Sequence, residues 1–259
     1  MQSVPVLMYH HVLPQGDNMA ISINLFQQQM QWLADNGWHT LSAEEFLQFK
    51  KKQQAIPKKS VLLTFDDGWL DNYIYAYPIL KTFNHQAMIF LVTDWTRQCS
   101  LHPSSTEIYW HSHQEAVKLT QTVPHQSVLH LKHIEEMSNS GLIAFESHTH
   151  RHLNRQQQSI DFEQELSESQ HFFQQNLGYT SRHLCYPWGY YQPHDAQLAR
   201  QQGFELCYTI KNGANCADNQ LSEIKRFSVK NKPLRWLAYK LFIFKHRFSS
   251  KMVEKLRKQ

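Results

Sequence analysis

Short apolar runs alternate with longer amphipathic stretches along this chain. Residues 4–9, 60–65, 87–92, 142–147, 182–186 and 204–210 are apolar runs of strand length. Between them, apolar residues recur at helical spacing. In 25–37, Leu25, Met30, Leu33 and Ala34 share a face, and Asn36-Gly37 closes the helix. Ser42, with Glu45 three residues on, is a capping-box pattern that opens a second helix. Further helices are predicted at 71–83, 129–139, 161–176 and 194–202. Residues 10–21 read as a polar loop. Residues 95–128 lack a clear period, hold Trp95, Trp110 and several histidines, and read as an insertion over one face. Strand–helix alternation with polar clusters after the strands predicts an α/β fold, a parallel barrel whose functional residues lie at the strand C-terminal ends.

Composition narrows the picture. Of 259 residues, 41% are hydrophobic and 13% aromatic, enough for a large core. No stretch approaches the roughly 18–20 apolar residues of a membrane span. No leader precedes the first predicted strand, so with Met1 as the native start a cytoplasmic protein is expected. Cys99, Cys185, Cys207 and Cys216 show no metal-binding spacing and read as free thiols of a reducing compartment. The net charge of +4 is uneven. Residues 233–259 hold eight basic residues and one acid and carry +7, which leaves the remainder at −3. The body therefore offers no basic face for nucleic acid.

Two polar clusters follow predicted strands. Thr64-Phe65-Asp66-Asp67-Gly68 follows 61–63, and Ser147-His148-Thr149-His150-Arg151-His152 follows 142–145. Adjacent acids before a helix read either as a cap or as two carboxylates with separate jobs, one on a metal and one on a proton. His148 and His152 on one helical turn would face one ion, with His150 pointing elsewhere; in a chain with 17 histidines, chance pairs also occur. Two histidines and one carboxylate leave room for water and substrate, as in catalytic sites. Cys185-Tyr186-Pro187-Trp188-Gly189-Tyr190 reads as a strand-to-loop turn with core aromatics, or as a backbone N–H donor flanked by aromatic rings that stack on sugar. His10 after the first strand reads as a surface residue or as an acid at the barrel mouth.

In this order the three motifs resemble the polysaccharide deacetylase family (NodB homology, carbohydrate esterase 4). The opening Val4-Pro5-Val6-Leu7-Met8-Tyr9-His10-His11 resembles its poly-N-acetylglucosamine deacetylase branch. The resemblance covers about residues 4–230. It implies a distorted (β/α) barrel that removes acetyl from an N-acetylated sugar, with one divalent metal, zinc by default and iron, cobalt, nickel or manganese also fitting. It implies Asp67, His148 and His152 as metal ligands, Asp66 as general base and His10 as the acid for the leaving amine. It further implies the Trp188 N–H at the oxyanion; Tyr190, from the reading of the motif's aromatic rings, is the candidate for the sugar wall. Many members begin the third motif with an arginine that orients the base; here that position is Cys185. Arg226, after a late strand, is the candidate replacement, or else a surface cation.

The expected division is a deacetylase domain at 1–232 and a basic amphipathic tail at 233–259. The tail interleaves its cations with Trp236, Leu237, Leu241, Phe242, Phe244, Phe248, Val253 and Leu256. It reads as a terminal helix packed on the barrel, or as an interfacial helix on anionic lipid. The second reading predicts a peripheral protein on the inner face of the cytoplasmic membrane. Its substrate would be an undecaprenyl-phosphate-linked N-acetylhexosamine of lipid A or envelope glycan modification. Alternatives are deacetylation of an exported N-acetylglucosamine polymer, and an inactive glycan- or membrane-binding barrel.

Overall fold

The computed structural model describes residues 2–107, 111–157 and 159–245. Its main sheet holds β1 (Val6–Tyr9), β2 (Ser60–Phe65), β3 (Ala87–Leu91), β4 (Ile143–Ser147), β5 (His183–Cys185), β6 (Leu206–Tyr208) and β7 (Phe227–Ser228). Neighbours run β6-β5-β4-β3-β2-β1-β7, every pair parallel, and His39–Thr40 pairs beside the start of β2. The segment before β7 curls the sheet. Ile224 bridges Tyr208 of β6 in parallel, with Ile224 N–H bonded to Cys207 O and Thr209 N–H to Ile224 O. Three residues later, Phe227 lies beside Leu7 of β1. One stretch of chain thus touches both ends of the sheet, and the fold is the expected distorted (β/α) barrel.

Helices α1 (Ile23–Asp35), α2 (Ala43–Lys50), α3 (Tyr77–Thr82), α4 (Thr93–Cys99), α5 (His113–Leu119), α6 (Leu131–Asn139), α7 (Phe162–Leu177), α8 (Asp195–Gln201) and α9 (Leu234–Phe244) join the strands or follow them. Side-chain alternation sorts the core. Leu7, Tyr9, Val61, Leu63, Phe65, Ile89 and Phe145 face the outer helices. Val6, Leu62, Met88, Phe90, Cys185, Leu206 and Tyr208 fill the barrel with Phe46 and Leu47 of α2. The inward residues of β1 and β2 continue in the same parity to His10 and Asp66, which sets those two side chains over the barrel mouth.

Several expectations change in detail. The run 4–9 is interrupted at Pro5, which lacks an N–H for the ladder; Ser3–Val4 pairs instead, antiparallel, with Asn215–Cys216. The helix expected at 71–83 starts as a π-turn at Asn72–Ala76 and continues as α3. The loop 10–21 contains His11–Leu13, paired with Ala20–Ser22. The insertion 95–128 contains part of α4, then α5 and a 3-10 turn at Pro124–Gln126; Trp110 lies outside the described residues. All four cysteines are buried and none is in a disulfide.

The described part of the tail is α9, and it packs on the barrel. Leu237, Leu241, Ile243 and Phe244 are buried in the outer core, and Phe244 stacks on Phe227 with ring centroids 5.3 Å apart. Tyr239 and Phe242 are exposed by 60% and 68%. The remaining tail positions, 246–259, lie outside the described residues. No helix among the described residues is long and apolar enough to cross a membrane.

Candidate active site and metal centre

Because the strands are parallel, their C-terminal ends share one rim, and the loops after β1, β2, β4 and β5 converge there. They line a cleft of about 280 Å³ with His10, Asp66, Asp67, His148, His152 and Trp188 among its walls. Met19, Trp95, Val117 and Ile210 add apolar rim, and Arg151, His113 and Tyr186 also reach it. Tyr190, expected in the sugar wall, is not in this cleft: it lines a small neighbouring cavity with Arg155, Ile160 and Phe162. Its place in the third-motif wall is taken by Tyr186, because the 3-10 turn Pro187–Gly189 redirects the chain after β5.

Asp66 and Asp67 are both buried and differently engaged. Asp66 meets Arg226 in a fork, Nη1 to Oδ1 at 2.6 Å and Nη2 to Oδ2 at 2.9 Å. The remaining guanidinium donors reach Thr209 O (3.0 Å), Thr64 Oγ1 (3.3 Å) and Cys185 Sγ (3.0 Å). All five N–H groups of this fully buried cation are thereby satisfied. Arg226 lies on the segment that closes the barrel, immediately before β7 rather than after a strand, and points inward beneath the site. Burial alone would raise the Asp66 carboxyl, but the charges of Arg226 and His148 outweigh it and hold the group below its ordinary range.

Asp67 has the wrong parity to follow Asp66 into the cleft. A φ of 76° rotates it there, a left-handed conformation that Asp tolerates better than most residues. Gly68, also at φ 76°, continues the turn where a Cβ would lie 2.8 Å from a Leu91 methyl. Trp69 Nε1–H donates to Asp67 Oδ2 at 3.0 Å, and Oδ1 lies 3.4 Å from both His148 Nε2 and His152 Nε2.

The two histidines do not share a helical turn. Residues 148–154 are a loop with Thr149 at φ 67° and His152 at φ 56°. The first turn of α4 holds this loop: Thr93 N–H bonds to Thr149 O (3.2 Å) and Asp94 N–H to His150 O (2.9 Å). Arg151 N–H bonds Glu165 of α7 at 2.8 Å. His148 donates Nδ1–H to Cys185 O at 2.8 Å, and the His152 ring lies 5.3 Å from that of Trp95 and 4.3 Å from that of Trp188. His150 turns away to Thr93 Oγ1 at 2.9 Å.

The donor set fits a metal ion. Asp67, His148 and His152 bring one carboxylate oxygen and two imidazole nitrogens within 4.8 Å of one another. Two tetrahedral bonds of about 2.05 Å separate their ligand atoms by about 3.35 Å, close to the spacing about Asp67 Oδ1. Trp69 and the Cys185 carbonyl take the outer atoms of Asp67 and His148, the arrangement that orients metal ligands. A second group, Asp66 with His148 and Cys185, is also close enough. It fits less well, since Arg226 occupies both Asp66 oxygens and burial pushes the Cys185 thiol up, disfavouring thiolate. Sharing one carboxylate, the two imidazoles diverge. Burial lowers both, but the Cys185 and Asp67 partners of His148 lift it well above its ordinary value, while His152 stays at about 3. Burial of Asp67 is likewise outweighed, by the hydrogen bond from His148 and the His152 charge, and its carboxyl lies well below the usual range.

His10 is half-buried on the cleft wall, its carbonyl held by the Asn72 side-chain amide at 2.9 Å. Burial pushes its pKa below the ordinary histidine value, against the pull of Asp67 and Asp66. Trp188 is 45% exposed, with φ 54°. A cleft with a bidentately held carboxylate, a three-donor metal site and a histidine suits hydrolysis of an amide or ester.

Residues 53–207 match the family model described as polysaccharide deacetylase. The chain belongs to the polysaccharide deacetylase family. Enzymes of this carbohydrate esterase 4 type hydrolyse N-acetyl amide bonds of sugars. Among its relatives, the deacetylase is 28% identical to YxkH of Bacillus subtilis over 87% of this chain and 71% of that protein. It is 28% identical to the poly-beta-1,6-N-acetyl-D-glucosamine N-deacetylase of Staphylococcus epidermidis over 83% and 69%. Its fold resembles the Streptococcus pyogenes deacetylase PplD in complex with acetate (TM-score 0.76, 26% identity, 92% of this chain and 98% of the other). IcaB from Ammonifex degensii is similar to the same degree (TM-score 0.75, 25% identity, 93% and 97%). Of the residues on the cleft of this deacetylase, sequence reasoning missed His113. Tyr186 adjoins the third motif and was legible there; His113 lies in the aperiodic stretch 95–128, where nothing local marks it.

Proposed function

We propose that this chain is a metal-dependent N-deacetylase acting on an N-acetylglucosamine glycan. The observation that carries the reading is the division of labour between adjacent acids: Asp66 locked on Arg226, Asp67 turned toward His148 and His152. A divalent ion held by Asp67, His148 and His152, zinc or another first-row ion, would supply Lewis acidity to the acetyl carbonyl and acidify a water. Asp66 takes a proton from the attacking water, and Arg226 fixes the direction of its lone pairs. As the carbonyl carbon becomes tetrahedral, the Trp188 N–H donates to the developing oxyanion; Pro187 has no N–H to offer. His10 then gives a proton to the nitrogen as the C–N bond breaks, leaving acetate and a free amine. The lowered pKa of His10 makes it a stronger acid once protonated.

The similarity to a poly-beta-1,6-N-acetyl-D-glucosamine deacetylase supports a polymer substrate. A second reading, a lipid-linked N-acetylhexosamine at an anionic membrane surface, has its own support. Tyr239 and Phe242 stand exposed on α9, at the start of a basic segment. Acetate release and mass loss of one acetyl group are to be followed on β-1,6-linked N-acetylglucosamine oligomers and on an undecaprenyl-phosphate-linked N-acetylhexosamine, in parallel with flotation on anionic vesicles. Turnover of the oligomers without vesicle binding supports the polymer. Preference for the lipid-linked sugar with vesicle binding that Tyr239→Ser/Phe242→Ser abolishes supports the second reading. Turnover of neither rejects both.

A further inference from the structure

A chain of three hydrogen-bonded side chains leads from the buried edge of the barrel to the cleft. Asp71, next to the π-turn, accepts at Oδ1 from Val12 N–H (2.8 Å) and from the Asn72 side-chain amide (3.0 Å). Its Oδ2 lies 2.7 Å from Nδ1 of His11. Nε2 of His11 lies 3.1 Å from Nδ1 of His113, the first residue of α5. The buried His11 ring stacks on Trp69 at 4.7 Å, and the half-buried His113 lines the cleft. The chain is tied to the site twice more. The same Asn72 amide holds the His10 carbonyl, and Trp69 donates to the Asp67 carboxylate.

The direction of these hydrogen bonds follows from donor chemistry. Asp71 faces N–H donors at Oδ1, so the carboxylate is the acceptor and Nδ1 of His11 carries the proton. In a neutral imidazole the other nitrogen is then bare. With His11 neutral, its Nε2 accepts, Nδ1 of His113 donates and Nε2 of His113 has no proton; a protonated His11 would reverse all three. Burial, which pushes the His113 pKa down, favours the same neutral state. Around this ring Met19, Trp95, Val117, Trp188 and Ile210 make most of the rim apolar, and Gln121 and Arg151 are its other polar members. The carboxylates deeper in the cleft are already engaged. Besides the Gln121 amide oxygen, a polyhydroxylated ring entering here has His113 as an acceptor on this wall.

We propose that His113 contacts substrate, offering a bare Nε2 as acceptor to a hydroxyl of the bound amino sugar, with Asp71 and His11 as positioning residues that fix this polarity. The inference rests on the amino-sugar reading of the cleft and adds a determinant of specificity to it. A site that takes a hydroxyl in this way discriminates against substrates lacking one, because the acceptor is left unpaired.

Two measurements test it on the zinc-loaded full chain. Long-range 15N NMR of the histidine rings should show His113 as the Nδ1–H tautomer. Asp71→Asn, whose amide can donate to His11 Nδ1, should invert it to Nε2–H. In kinetics with a β-1,6-linked N-acetylglucosamine pentamer, His113→Ala should raise KM about tenfold, with kcat changed much less, and Asp71→Asn should raise it by a smaller factor, because a hydroxyl can also accept from Nε2–H. Selectivity for the pentamer over p-nitrophenyl acetate, which lacks a sugar, should fall by the same factor. His113→Gln, which keeps an acceptor oxygen, should recover part of the loss. A protonated or Nε2–H His113 in the wild type overturns the proposal, as does an unchanged KM in His113→Ala. If the wild type frees no acetate from the pentamer, the amino-sugar reading fails and the substrate contact fails with it. The polarity of the chain is still decided by the spectrum.

Discussion

Asp66 and Asp67 are chemically identical and one peptide apart, yet their surroundings give them different chemistry. Strand parity carries Asp66 inward onto Arg226; only the left-handed backbone at Asp67 brings the second carboxylate to the histidines. The same conformation recurs at His152 and Trp188 on the cleft wall and at Thr149 in the histidine loop, and away from the cleft at Lys52, Asn84 and Asn219. Asp66→Asn should lower acetate release at least ~10³-fold while zinc content, measured by atomic absorption, stays near one equivalent. His148→Ala should lose the zinc as well; retained metal there would remove His148 from the ligand set. Arg226→Met leaves the Asp66 charge buried and unpaired, and should cost about 3–5 kcal/mol in urea denaturation besides abolishing turnover. Cys185 stands at the start of the third motif, and the closing segment brings Arg226 to Asp66 from across the barrel, with Cys185 Sγ as one of its acceptors. Nothing in local sequence could give that pairing, since Asp66 and Arg226 are 160 positions apart.

At the scale of elements, the helices and strands were largely readable, because alternation and capping are local properties. The box at Ser42 and Glu45 forms as the spacing predicts. The histidine spacing was misleading. Four-residue separation suits a helix, but the chain after β4 is pinned by the α4 N–H groups and makes a loop instead. The amphipathic segment after 233 carried two readings, and 234–244 is a packed helix. Leu241 is fully buried, so Leu241→Ala should destabilise the fold by about 2–5 kcal/mol in a denaturant titration, whereas a segment hanging free would show no change.

For the whole molecule, burial of histidines ties stability to pH. His133 and His183 are buried, and their pKa values fall from 6.5 to about 4 and about 3, in both cases chiefly by desolvation. The folded chain keeps them neutral where the unfolded chain binds protons. Their contribution is complete above about pH 6.5 and declines as pH falls below it, by at most about 1.4 kcal/mol per pH unit each. Urea midpoints should therefore drop between pH 7 and pH 5, and His133→Gln should flatten part of that slope. Glu146, pushed up to about 7 by burial, opposes this drop, so the histidine contribution is read from the difference between the two proteins: equal slopes for wild type and His133→Gln would mean that His133 is charged in the folded state.

By itself the sequence determined the parallel α/β order, the strand ends that carry chemistry, and the residue types of a deacetylase site. All of these follow from hydrophobic period, caps and short motifs, which are encoded within a few residues. Tertiary structure decided which carboxylate faces which partner, that Tyr190 stands outside the cleft, and that Arg226 rather than a third-motif residue holds Asp66. It also joined Asp71, His11 and His113. The physical reason is the closure of the barrel. Parallel strands bring distant loops to one rim, and inside a buried rim each polar atom must find a partner whatever its distance along the chain.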